Sequence, residues 1–166
     1  MKIICALTGT PGTGKSSLGR ALDGKKIFGY KIKVMDLNKE ILENGLYSSY
    51  DKRRKTYVAD LNKVTEFVKE KTRDDGIYII ESHLSHLLKI NYDLVFLCRA
   101  GTEELHKRLA ARGWSEEKIR ENLESEVLEV IPSEIMGEAI QLDTSHGITE
   151  PLKRIIATLK EIVKEK

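Results

Sequence analysis

Short apolar runs alternate along this chain with longer stretches whose apolar residues recur every three or four positions. The runs are Ile3–Leu7, Ile32–Met35, Ile77–Ile80, Leu94–Cys98 and Ala139–Leu142, and each predicts a buried strand. The stretches between them predict helices. Ser16–Leu22 is closed by Gly24, and Asp36–Glu43 opens on an Asp cap and stops near Asn44-Gly45. Asp60–Lys71 carries Leu61, Val64, Phe67 and Val68 at helical spacing. Thr102–Ala111 ends before Gly113, and Ser115–Val130 starts on a Ser cap and meets Pro132. A last helix starts near Glu150-Pro151 and runs to Lys164. Gly45–Lys55 has neither period. It is polar, with Tyr47, Tyr50 and Tyr57 in or beside it, and predicts a loop long enough to be a mobile binding element.

Strands that alternate with helices predict an α/β fold in three layers: a parallel five-stranded sheet with helices on both faces. A ligand then lies beyond the carboxyl ends of the strands.

Composition narrows the picture. A chain of 166 residues, 40% hydrophobic and 33% charged, predicts one domain over 1–166 with a real core. The formal net charge of +2 gives no global basic footprint, which argues against sequence-specific DNA binding but leaves room for a local patch. Cys5 and Cys98 both fall inside apolar runs, so they read as buried thiols in a reducing compartment rather than as a disulfide. No apolar run approaches the roughly 20 residues of a membrane span, and none reads as a leader. The expectation is a cytoplasmic protein.

Chemistry enters at Gly9-Thr10-Pro11-Gly12-Thr13-Gly14-Lys15-Ser16, a complete G-x-x-x-x-G-K-[ST] sequence placed between the first strand and the first helix. The glycines let backbone N–H groups turn onto phosphate oxygens, and the helix N-terminus adds partial positive charge. Lys15 can reach the β- and γ-phosphates, and Ser16 can hold Mg²⁺. The motif predicts a P-loop fold that binds a nucleoside triphosphate.

Other candidates gather at strand ends. Ile79-Ile80-Glu81-Ser82-His83 places a carboxylate where it can hold Mg²⁺ or its water, and an imidazole where it can orient a water or move a proton. His86 reads as helical surface or packing. Arg108 and Arg112 share a helix face. Arg112, just before Gly113-Trp114, can close over phosphates, whereas Arg108 reads equally well as a cation balancing the helix end. Lys52-Arg53-Arg54-Lys55 reads as solvated surface that can also touch RNA phosphate.

Beyond the phosphate loop, with Ser17 following it, come Asp36-Leu37, Leu46-Tyr47, Tyr50-Asp51, Glu81-Ser82-His83, and the block Arg108-Leu109-Ala110-Ala111-Arg112-Gly113-Trp114-Ser115-Glu116-Glu117-Lys118-Ile119 with Asn122 and Glu126. On these residues the chain resembles the adenylate kinase isoenzyme 6 family, also called coilin-interacting nuclear ATPase, and its archaeal members. The resemblance implies a nucleoside-monophosphate-kinase-like P-loop domain with a short lid. It implies ATP–AMP phosphotransfer together with ATP hydrolysis, AMP as acceptor, and Mg²⁺. It also implies help in late assembly of the small ribosomal subunit through a ribosomal protein of the uS11 type, with contact to small-subunit rRNA. Gly12, Thr13, Gly14, Lys15, Ser16, Ser17 and Arg112 are then the ATP-binding residues. Asp36 and Lys39 lie in a monophosphate-binding region of about 33–56, and the lid spans about 111–121. Three departures stand out: Glu81 replaces the family's aspartate, Lys39 its arginine, and Lys52–Lys55 an acidic stretch. Two other readings stay open, another small-molecule P-loop kinase and an ATP-switched assembly factor with little turnover.

Overall fold

The computed structural model describes residues 1–166. Its centre is β1 (Lys2–Gly9), whose residues after Lys2 are all buried. Burial on both faces is the condition of a central parallel strand, and β1 has a parallel neighbour on each side. These are β6 (Gly76–Glu81) and β7 (Leu94–Arg99). Outward from them lie β3 (Tyr30–Asp36), parallel to β6, and β8 (Ile140–Asp143), parallel to β7. The five expected parallel strands are therefore present, the last shifted by one residue. A sixth, antiparallel strand, β2 (Lys26–Ile27), closes the edge beside β3, giving the order β2-β3-β6-β1-β7-β8. Two residues give no periodic signal, which is why the sequence pattern missed it.

The strand period of two sorts side chains onto two faces. Ile3, Cys5, Leu7, Ile77 and Ile79 pack with Leu18 and Leu22 of α1 (Lys15–Leu22) and with Ile155 and Leu159 of α7 (Thr149–Glu165). Ile4, Tyr78 and Ile80 pack on the other face with Leu37 and Ile41 of α2 (Leu37–Glu43) and Val64 and Val68 of α3 (Leu61–Lys71). Asp60 caps α3 by accepting from Asn62 N and Lys63 N. A third, small core joins α4 (Thr102–Ala111) to α5 (Glu116–Val127) through Leu105, Leu109 and Ile119, with Trp114 and Leu123 against it.

Two expectations need correction. Gly45–Lys55 is not a structureless loop. It holds β4 (Tyr47–Asp51), which pairs antiparallel with β5 (Thr56–Ala59) as a separate hairpin. Both faces are largely exposed, so no polar–apolar alternation marks it. Tyr57 holds it together, with ring centroids 4.3 Å from Tyr47 and 5.0 Å from Tyr50. Its basic tip turns on Asp51, whose Oδ1 accepts from Arg53 N at 3.0 Å and Arg54 N at 3.1 Å. The helix expected over Ser115–Val130 is also divided. After α5, Glu129 takes φ 54° and a short α6 (Val130–Glu134) follows. Pro132 lies in the first turn of α6, where a missing N–H costs nothing.

Candidate active site

The phosphate loop is a tight arch between β1 and α1. Gly9 takes φ 149°, and a Cβ there would stand 2.6 Å from the carbonyl oxygen of Cys98 on β7. Gly12 takes φ 89°, and a Cβ would stand 2.8 Å from Leu105 and 2.9 Å from Leu109. Only glycine meets both demands, a positive φ and backbone lying flat against neighbours. Thr13 Oγ1 donates to Thr10 O at 2.6 Å across the arch. Gly14, at φ 88°, is the N-cap of α1 and offers no side chain to the first-turn amides, so they stay open to an anion.

Lys15 is buried, 6% exposed, and its ammonium donates to Thr10 O at 3.0 Å. Burial pulls its pKa down to about 8; Arg112 adds to the fall, while Glu81 and Glu126 oppose it. A buried ammonium with a single carbonyl partner has donors left for phosphate. Ser16 Oγ donates to Glu81 Oε1 at 3.5 Å, a long bond between the loop and the end of β6. Ser17 is half-buried, and its Oγ accepts from Arg20 Nη2 at 3.4 Å. Glu81 stands in register between Leu7 on β1 and Asp36 on β3. Burial raises its pKa, with Asp36 adding to the rise and Lys15 opposing it. Ser16 and Glu81 are the oxygen donors suited to Mg²⁺. No cluster of three or more acidic, histidine or cysteine side chains surrounds them. So small a donor set fits a hard cation that keeps waters and shares its shell with phosphates.

His83, beyond Ser82 at the same strand end, has its pKa pulled down to about 4, by burial first and by Lys15 and His86 after it. Its imidazole is neutral at physiological pH. Of the two readings of His86, packing holds and helical surface does not: its side chain is 1% exposed, in a 3-10 turn over Ser85–Leu87. Its Nδ1 stands 2.7 Å from Thr8 Oγ1 and its Nε2 3.3 Å from Glu134 Oε1, tying β1 to α6.

The two arginines separate. Arg112 is exposed at the end of α4, its guanidinium 5.8 Å from the Trp114 ring, and it forms no ion pair. Gly113 follows at φ 74° and turns the chain into α5, which Ser115 caps through Lys118 N at 3.2 Å. Arg108 points the other way. Its Nη1 donates to Gly12 O at 3.2 Å and Thr144 Oγ1 at 3.1 Å, and its Nε pairs with Glu104 at 3.0 Å. It braces the phosphate loop rather than balancing a helix end. Thr144, fully buried after β8, donates to Thr13 O at 2.8 Å and completes the brace. A lone threonine after a strand carries no sequence signal, so this partner was not anticipated. Nor was Arg99, whose guanidinium fastens the end of β7 to Glu126 and to Glu129 Oε1 at 3.1 Å.

Asp36 and Lys39 both have partners within α2. Asp36 caps α2, accepting from Lys39 N at 3.3 Å, and the Lys39 ammonium lies 3.9 Å from Glu43. Arg53 at the hairpin tip reaches Glu117 of α5 at 4.0 Å, so the β4–β5 hairpin and α5 meet.

The chain matches the AAA domain family over residues 5–129. It is 32% identical to "Putative adenylate kinase" of Methanocaldococcus jannaschii, over 97% of this chain and 86% of that one. It is 42% identical to the protein of the same name from Methanosarcina barkeri, over 78% of this chain and 68% of that one. "Adenylate kinase isoenzyme 6 homolog" of Caenorhabditis elegans is 32% identical, over 96% of this chain and 90% of that one. Among solved structures, the shikimate kinase of Bacteroides thetaiotaomicron superposes with a TM-score of 0.61 at 14% identity over 98% of each chain. That likeness shows the fold, a P-loop kinase fold. No helix is long and apolar enough to cross a membrane.

Proposed function

The chain belongs to the adenylate kinase isoenzyme 6 family, and from that premise we propose that it is an ATP-dependent nucleoside monophosphate kinase converting ATP and AMP to two ADP, with ATP hydrolysis as a second activity. One observation carries the reading. Lys15, Ser16 and Glu81 converge where α1 begins with uncapped amides.

In the proposed reaction the open amides of the loop bind the triphosphate chain, and the Lys15 ammonium leaves Thr10 O for the β- and γ-phosphates. Ser16 and Glu81 hold Mg²⁺, which when bound neutralises charge on the phosphoryl oxygens. An oxygen of the AMP phosphate attacks the γ-phosphorus in line, the bond to the β–γ bridging oxygen breaks, and ADP leaves. Arg112, exposed and unpaired, closes from the lid onto the transferring group. Asp36 and Lys39 border the acceptor in the monophosphate-binding region of about 33–56 and let go of their present partners to do so. The lid is the α4–α5 turn, about 111–121.

Hydrolysis draws on a different group. His83 is neutral at physiological pH, so it can accept a hydrogen bond from a water and hold it for attack. Assistance to small-subunit assembly through a uS11-type ribosomal protein, with contact to small-subunit rRNA and in the cytoplasm, rests on the family resemblance alone. The test is ADP formation from ATP with and without AMP, then with a purified uS11-type protein added. AMP-dependent ADP formation supports the kinase, and turnover that AMP leaves unchanged removes it. Turnover only on adding the ribosomal protein favours the ATP-switched assembly factor.

A further inference from the structure

The edge hairpin of the main sheet carries features that neither nucleotide binding nor folding explains. In Gly24-Lys25-Lys26-Ile27-Phe28-Gly29-Tyr30-Lys31, the antiparallel register sets Lys26 directly opposite Lys31. Like charges facing across strands destabilise a sheet. Neither forms an ion pair, and neither does Lys25 nor Lys164, which approaches from α7. The nearest acid in sequence, Asp23, is committed to the backbone, accepting from Val34 N at 2.9 Å. Phe28 occupies the first turn position at φ 46°, where Asn is the favoured residue and a bulky side chain is strained. Phe28 is nevertheless 57% exposed, with Tyr30 beside it 37% exposed and the Lys164 ammonium 5.6 Å from the Phe28 ring centroid. Lysines on an edge strand discourage sheet-to-sheet pairing, which accounts for some of the charge. It does not account for a strained, solvent-facing phenyl ring among unpaired cations.

We propose that this hairpin is a contact surface for single-stranded nucleic acid, with bases stacking on Phe28 and Tyr30 and phosphates meeting Lys25, Lys26, Lys31 and Lys164. Aromatic faces beside unpaired cations match the two repeating elements of a single strand, an exposed base and a phosphate. A duplex hides its base faces and an acidic peptide has none, so the aromatics select the single strand. The lysines lose their mutual repulsion when phosphate binds. Strand β3 separates the hairpin from Asp36 and Glu81 by about 20 Å, at ~3.3 Å per residue, so strand and triphosphate bind together.

The test is fluorescence anisotropy of a labelled oligouridylate of about a dozen nucleotides on the full chain at about 50 mM salt. A dissociation constant of roughly 10 µM is expected, unchanged by saturating ATP. Phe28→Asn is the decisive variant, because Asn suits the turn. It should raise the melting temperature while weakening oligonucleotide binding roughly fivefold or more. Lys26→Gln with Lys31→Gln should lower the slope of log K against log salt by about 1.4. DNA of matching sequence binding equally well supports a surface that reads base faces and phosphate, and preference for RNA supports one that also reads the 2′-hydroxyl. Absence of binding at high micromolar protein, or undiminished binding by Phe28→Asn, overturns the proposal. So does equal affinity for duplex or for polyglutamate of matched charge. ATP turnover, measured beside these, fails independently of them.

Discussion

Arg108 and Arg112 stand four residues apart at one end of α4, and the structure gives them opposite situations. Arg108 is partly buried, its side chain 23% exposed, and spends its donors on Gly12, Thr144 and Glu104. Arg112 is exposed and unpaired. The same contrast runs through the whole site. The floor (the phosphate loop, Lys15, Glu81) is buried and cross-braced. The roof (the β4–β5 hairpin and the α4–α5 turn) is exposed, charged and joined by a single long ion pair. A braced floor holds phosphate in fixed geometry, whereas a roof with few contacts can move.

Removing the cation of the floor gives the largest effect. Lys15→Ala should weaken ATP binding roughly a hundredfold or more while the protein stays folded, since Lys15 fills no core position. Calorimetry with ATP and circular dichroism check both halves, and wild-type affinity would empty the site of its main cation. The pH dependence has a definite sign. Burial holds Lys15 near pKa 8, below its ordinary 10.5, so between those values the unfolded chain binds the extra proton and the native one does not. The apo protein should therefore lose a destabilising charge as pH rises through 8 to 10.5, while ATP affinity falls over the same range as the ammonium deprotonates.

The arginine pair tests the contrast directly. Arg112→Ala should lower kcat roughly tenfold or more and leave stability within about 0.5 kcal/mol. Arg108→Ala should do the reverse. Stranding Gly12 O and Thr144 should lower stability by about 1–3 kcal/mol, and ATP affinity should weaken as the loop loosens. Arg108→Lys should not rescue it, since a single ammonium cannot span the three partners. Thermal melts beside steady-state kinetics separate the two. If both variants lose kcat and keep their melting temperature, floor and roof are one catalytic unit and the contrast fails.

His83 sits on the floor but serves, in the proposed function, only one of two reactions. His83→Ala should depress hydrolysis several-fold while AMP phosphorylation and ATP affinity stay within about threefold, because transfer to a bound oxygen needs no water. The informative number is the ratio of the two rates. Parallel losses would leave His83 as a packing residue. With a native pKa near 4 against an ordinary 6.5, His83 also takes stability away as pH falls from 6.5 to 4, where only the unfolded chain gains the proton.

The floor was legible in the sequence and the roof was not, for a physical reason. Strand β1, the glycine loop and Lys15-Ser16 are contiguous, and the strand period, the φ demands of glycine and the helix start each leave a local signature. Glu81 was legible because it ends an apolar run. The brace was not. Arg108, Thr144 and Gly12 come from three separate stretches, and nothing local distinguishes a bracing arginine from one that faces solvent. His86 stayed open between surface and packing for the same reason, since its partners Thr8 and Glu134 are distant in sequence. The hairpin failed for the opposite reason, because a ribbon exposed on both faces carries no alternation to read. Its three tyrosines were noticed, but their stacking on one another was not.

The smallest effect belongs to the contact between the two halves of the roof. Arg53 at the hairpin tip and Glu117 on α5 are 4.0 Å apart, with side chains 88% and 75% exposed. A pair so open to water gains little and is screened over a Debye length of about 8 Å at physiological salt. Arg53→Glu should therefore change kcat/KM less than about twofold at 0.15 M salt, and more at 0.01 M, where the screening length reaches ~30 Å. Adding Glu117→Arg should restore the low-salt rate, because the pair is rebuilt in reverse. That outcome marks the contact as a weak latch that biases closure without holding it. A tenfold loss at physiological salt, unrepaired by the reversed pair, would mean that Arg53 touches the reacting ligand. The roof would then belong to the chemistry as fully as the floor.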